Sequence, residues 1–163
     1  MKRMLVLVCI LSIFLSGCGI FGERIQQPVT FYYIAEEYQQ TMCDVIVSEE
    51  REAAGHMDDL TYMLALYLMG PTEEAHCSPI PRGTNIFRAE ITDSGVSLLL
   101  SDTEKTMSDA QFTLASTCLA LTCMDITGLE SVTVTSGTRS NVITADNLII
   151  FDDPAANIME EAS

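Results

Sequence analysis

The stretch Asn85-Ile86-Phe87-Arg88-Ala89-Glu90-Ile91-Thr92-Asp93-Ser94-Gly95-Val96-Ser97-Leu98-Leu99-Leu100 decides how this chain folds. Asn85 to Ile91 and Val96 to Leu100 face each other across Thr92-Asp93-Ser94-Gly95, which reads as a β-hairpin with a Gly-bearing loop. Ser108 then stands where a cap is needed for a helix from Asp109 to about Ile126, and Gly128 closes it. Phe112, Ala115, Leu119 and Cys123 mark one face of that helix. Leu114, Cys118 and Leu121 widen the face, so this helix is expected to be the most buried element.

Upstream of the hairpin, Cys77 to Thr84 carries Pro79, Pro81 and Gly83 and must run extended and turning rather than as a regular element. Before it, Leu60, Met63, Leu64, Tyr67 and Leu68 recur at helical spacing, with Asp58 or Asp59 as the cap and Gly70-Pro71 as the stop. Val29 to Ile34 and Asp44 to Ser48 read as strands, with Ala35 to Thr41 as the turn between them and the charged run Glu49 to Gly55 left to solvent. Downstream, Val132-Thr133-Val134 reads as a further strand and Asn147 to Phe151 as a last one. The order strand, strand, helix, strand, strand, helix, strand, strand gives an α+β, two-layer sandwich: a mainly antiparallel sheet with two helices on one face.

The N-terminus has another logic. Lys2 and Arg3 form a basic patch, Met4 to Leu15 an apolar run, and Leu15-Ser16-Gly17-Cys18 resembles a bacterial lipobox. That resemblance implies cleavage before Cys18 and a diacylglycerol thioether on its sulfur. The apolar run is shorter than the ~20 residues that a membrane-spanning helix needs. Residues 1–17 are therefore expected to be a signal peptide, 18–27 a lipidated tether, 28–154 one domain, and 155–163 an acidic tail. The expected location is the outer face of the bacterial cytoplasmic membrane, held through the lipid at Cys18.

Charge bounds the partners. Removing residues 1–17 from the 163 leaves all 23 acidic residues but six of the 8 basic ones, a net charge of −17. A field of that sign repels nucleic acid and anionic lipid head groups, so no nucleic-acid partner is expected. Cys43, Cys77, Cys118 and Cys123 would remain beside Cys18. Five helical residues separate Cys118 from Cys123 by about 7.5 Å, beyond the roughly 7 Å reach of a disulfide. Any bridge from the helix would therefore run to Cys43 or Cys77, and buried free thiols are the favoured state.

Gly70-Pro71-Thr72, Ser78-Pro79-Ile80-Pro81-Arg82-Gly83-Thr84, the hairpin Ile91 to Leu100, Ser101-Asp102, and the second helix with Gly128-Leu129-Glu130-Ser131-Val132 resemble the GerMN domain of spore-forming and other Gram-positive bacteria. The likeness covers about Val29 to Thr135. It implies an envelope lipoprotein with a fold similar to ring-building modules, acting by protein contacts and without an active site, in sporulation or germination. The residues themselves assign Gly70, Pro79, Pro81 and Gly83 structural work: a left-handed helix end, a stiff crossing and a tight entry into the hairpin.

Catalytic chemistry finds little support. His56 and His76 lie near no Gly-x-Ser-x-Gly elbow, Glu36-Glu37 and Glu73-Glu74 sit in solvated loops, and there is no Gly-rich phosphate cradle. No C-x-x-C occurs, so no metal or other cofactor is expected. The expected partners are an envelope protein or another copy of this chain, with Tyr32, Tyr33 and Tyr38 as candidate contact residues, one of them buried in the core. The alternative is an envelope module that binds a small glycan or peptide.

Overall fold

In β1, Pro28–Ala35, Val29, Phe31 and Tyr33 turn into the core while their neighbours turn out, the period of a half-buried strand. The computed structural model describes residues 28–39, 45–52, 56 and 59–148. Among them a short 3₁₀ turn, Glu36–Gln39, follows β1, and β2, Ile46–Glu52, returns antiparallel to it with Phe31 opposite Glu49. The second strand thus runs through Glu52. The charged run expected to be solvated is in part strand, and Glu49 is only 6 % exposed. β3 is the two-residue His76–Cys77, paired with Ala35 and Ile34. The order β2-β1-β3 makes one small sheet.

A second sheet runs β4-β5-β6-β7. Its hairpin of β4, Ile86–Thr92, and β5, Gly95–Leu100, is the one expected from the sequence, with a register shift at Phe87 between Ile86 and Arg88. β6, Ser131–Ser136, runs parallel to β5, and β7, Arg139–Thr144, returns antiparallel to β6. Parallel neighbours need a crossover, and the intervening helix supplies it. The fold is α+β with mainly antiparallel pairing, as expected. Its strands divide between two sheets, and β7 occupies residues that the sequence reading left unassigned. The strand expected over Asn147 to Phe151 lies mostly outside the described residues, and its first residue ends a 3₁₀ turn, Ala145–Asn147.

Helix α1, Leu60–Leu68, is capped by Asp59, whose carboxylate accepts from the Tyr62 N–H at 3.0 Å. It buries Leu60, Met63, Leu64 and Tyr67, and Gly70 beyond it takes φ +93°. Helix α2, Asp109–Thr127, starts with a full capping box of Ser108 and Gln111 and stops at Gly128 in the left-handed region. It is flanked on both sides, by β1 and by β6 and β7. This is why it buries Ser116 and Thr122 as well as Phe112, Leu119 and Cys123. The buried hydroxyls are matched across each flank: Asn141 Nδ2 donates to Ser116 Oγ at 3.2 Å, and the Tyr32 N–H donates to Thr122 Oγ1 at 3.1 Å. With the Thr30 N–H donating to Asp125 at 2.8 Å, α2 stands where a further strand would otherwise pair with β1.

Candidate functional site

The sequence-predicted site residue, Cys18, lies outside the described residues, as does Cys43. The thiols of Cys77, Cys118 and Cys123 are free. Cys118 and Cys123 are fully buried on α2, and burial pushes each thiol up to about 12, so both stay protonated and unreactive in the folded protein.

The candidate contact tyrosines separate. Tyr33 is buried, its ring stacked on Tyr67 at 4.9 Å and 6°, while Tyr67 Oη donates to the Tyr32 carbonyl at 2.9 Å. Burial, countered in part by Arg51 and reinforced by Glu49, raises the Tyr33 phenol to about 12. Tyr33 is therefore core. Tyr32 is half-buried with its side chain on the opposite face. The side chain of Tyr38 is outside the described set.

The most concentrated chemistry is one the sequence did not single out. Glu49 accepts from Arg51 Nε at 2.7 Å, from the Thr72 N–H at 3.1 Å, from the Thr72 hydroxyl, and from the Glu73 N–H at 3.3 Å. Arg51 donates onward to the Gly70 carbonyl at 2.6 Å and lies over the rings of Phe31 and Tyr33 at 5.3 and 5.8 Å. Burial alone would raise the Glu49 carboxyl. The hydrogen bonds from Thr72, Arg51 and Glu73 override it and hold the group at about 2. The arrangement clasps Gly70-Pro71-Thr72-Glu73 to β2, which gives the Gly-Pro-Thr motif its physical reason. His76 Nδ1 lies 3.5 Å from Glu49 Oε2 and has no hydrogen-bond partner among the described residues. The hydrogen bonds to the carboxylate come from Arg51 on its own strand and from the Thr72-Glu73 turn, so its lone pairs are spent on structure rather than on a substrate. The signal that could have found it is the alternation Glu49-x-Arg51, with both side chains on one face of an extended segment.

A second buried network fixes the loop before α2. Thr103 and Ser136 hydroxyls meet at 2.8 Å, Arg139 donates to Thr103 Oγ1 at 2.8 Å and to the Met107 carbonyl at 3.0 Å, and its guanidinium lies 4.5 Å above the Phe112 ring. This too is internal. No group of three or more His, Cys, Asp or Glu side chains among the described residues is placed to hold a metal. His56 is exposed with its ring 4.4 Å from that of Tyr62. A cleft of about 560 Å³ opens between Met69-Gly70-Pro71 and the Ile80 to Thr84 crossing, with His76, Cys77 and Arg82 at its wall.

Met69 at this cleft is exposed, and two further large apolar side chains stand exposed together on one strand. β4 is an edge strand, and Phe87 and Ile91 are 69 % and 58 % exposed on it. Arg88 and Glu90 stand between them, with Arg88 Nε 3.6 Å from Glu90 Oε1. Among the described residues no strand pairs with the outer side of β4.

No family model and no curated protein matches the chain. Among solved structures it resembles the tandem GerMN domains of the sporulation protein GerM from Bacillus subtilis, at 20% identity and a TM-score of 0.48, over 75% of this chain and 43% of that one. The likeness is to a GerMN domain. This chain spans less than half of the GerM structure, which carries its GerMN domains in tandem. A putative lipoprotein from Clostridium perfringens aligns over 78% of this chain and 97% of its own at 14% identity and a TM-score of 0.46.

Proposed function

We infer that this chain is a lipid-anchored extracytoplasmic protein that works through protein contacts, without catalysis, by way of one GerMN-like domain. The carrying observation is the edge strand β4, where Phe87 and Ile91 stand exposed and no strand among the described residues pairs with the outer backbone. Its carboxylates support the same reading, because the one held strongly acidic, Glu49, is committed to the Gly70-Pro71-Thr72 clasp. No helix among the described residues is long and apolar enough to cross a membrane, and in this reading the thioether at Cys18 provides the attachment. The outer face of the bacterial cytoplasmic membrane is then its place of work, and an envelope assembly in sporulation or germination its process, the latter on the strength of the motif resemblance.

The test is crosslinking and pull-down of the anchored protein from growing and sporulating cells, with Cys18→Ala as control. Recovery of sporulation or spore-envelope proteins from sporulating cells alone supports the reading. A Cys18→Ala protein that stays in the membrane fraction, fully processed, refutes the anchor. Recovery of a small glycan or peptide with no protein transfers the function to the cleft beside Arg82.

A further inference from the structure

We propose that β4 pairs with β4 of a second copy of this chain, antiparallel about a two-fold axis through Ala89, and that Arg88 and Glu90 set this register. The inference rests on the protein-contact reading above and names its partner. In a hairpin closed by a two-residue loop, the flanking residues exchange hydrogen bonds, here Thr92 and Gly95. Alternation then directs the N–H and C=O of Glu90 and Arg88 toward β5, and those of Ala89 and Ile91 toward the open edge. Two identical strands can pair reciprocally only when a residue lies on the axis opposite itself, which leaves a short menu of registers.

Charge chooses among them. With Arg88 or Glu90 on the axis, like charges meet. With Ala89 on the axis, Arg88 of each copy faces Glu90 of the other, twice over, and the outward groups of Ala89 meet their own kind as a hydrogen-bonded pair. In this register Phe87, 69 % exposed at the bulged end of the strand, stands beside the last regularly paired residues of the other copy. Arg88 and Glu90 already share a face, 62 % and 55 % exposed and 3.6 Å apart, so neither must leave a buried partner to make the new contact. The bulge at Phe87 lies at one end of the strand and leaves Arg88 to Thr92 in regular register with β5.

Five residues a side is a small interface, well below the roughly 1,200 Å² of a stable complex, and two cleaved bodies of net charge −17 repel each other. The pairing is therefore weak in free solution and is populated when both copies are confined to one membrane surface, where effective concentration is high.

The experiment uses full-length chains with two different tags, co-expressed, each bearing a photo-crosslinking phenylalanine analogue at Phe87. Yield of the mixed-tag dimer after illumination is the readout. Arg88→Glu alone and Glu90→Arg alone each oppose like charges at both contacts and should cut the yield about tenfold. Co-expressing Arg88→Glu with Glu90→Arg restores opposite charges at both contacts and should restore the dimer, as should the double swap within one chain. Equal yields from wild type and Arg88→Glu, or failure of the mixed pair to recover, overturn the register. A wild-type chain that crosslinks only to a different protein refutes self-pairing yet leaves the protein-contact reading standing. A chain that crosslinks to nothing refutes both.

Discussion

Replacing Glu49 by Gln should unfasten the turn after α1 while leaving its volume almost unchanged. In the native protein the carboxylate serves Arg51 Nε, the Thr72 N–H and hydroxyl, and the Glu73 N–H. The amide has one acceptor oxygen for these donors and turns an NH₂ toward the rest, so buried donors go unmatched. The lowering of the carboxyl from 4.5 to about 2 corresponds to about 3 kcal/mol of stability near neutral pH. Breaking a buried charge pair by losing one partner costs a similar amount, about 3 to 5 kcal/mol. The sign follows from the direction of the shift. A group more acidic in the folded than in the unfolded state stabilises fully above the unfolded value, and that stability is lost as pH falls through the folded one. Wild type should therefore exceed Glu49→Gln by about 3 kcal/mol near pH 7, and the two should converge as the pH drops from about 4.5 toward about 2. Urea unfolding followed by far-ultraviolet circular dichroism at several pH values measures this. A difference under about 0.5 kcal/mol near pH 7, typical of a surface change, or one that does not shrink in acid, refutes the clasp.

Three other perturbations have defined outcomes. Gly95→Ala would set a Cβ 2.2 Å from the Ser131 carbonyl oxygen at a residue with φ +146°, and since the obstacle is backbone of β6 it should cost about 3 kcal/mol or more in thermal or urea unfolding; a variant as stable as wild type would deny the β5 to β6 approach. Ser108→Ala removes one arm of the capping box of α2 and should lower stability by about 1 kcal/mol, whereas no change in the unfolding midpoint would mean that the cap is idle. Cys118 and Cys123 should resist a maleimide in the native protein and react once urea unfolds it, as peptide mapping by mass spectrometry will show; prompt native labelling of either would contradict their burial.

Local signals made much of this fold legible. β1, α1, α2 and the β4 to β5 hairpin all announce themselves through period, cap and turn, because the residues that decide each of them are neighbours in sequence. β2 was legible only at its start. Glu49, Glu50, Arg51 and Glu52 look like a solvated run until the turn at Thr72 and Glu73 arrives from 23 and 24 residues away in sequence to receive Glu49. β7 was missed for a related reason: Arg139 and Asn141 are polar residues on a strand, and only contact with Thr103 and with Ser116 on α2 explains them. Gly137-Thr138 between two β-branched segments was the available clue. The parallel union of β5 with β6, and with it a sheet separate from β1, follows from α2 as a crossover rather than from any local pattern. For the candidate surface, the sequence pointed to tyrosines, and Tyr33 proved to be core. Phe87 and Ile91 were read as ordinary strand residues because their exposure depends on β4 being an edge.

The stacked Tyr33 and Tyr67 rings also give the molecule an optical signature of its own. With no tryptophan and only five tyrosines, its near-ultraviolet spectrum belongs largely to phenols, and two of these lie 4.9 Å apart and nearly parallel in the core. Their coupling reports directly whether β1 and α1 are packed, so a state that kept its helices but lost its close-packed interior would go dark in that band while its far-ultraviolet spectrum stayed native.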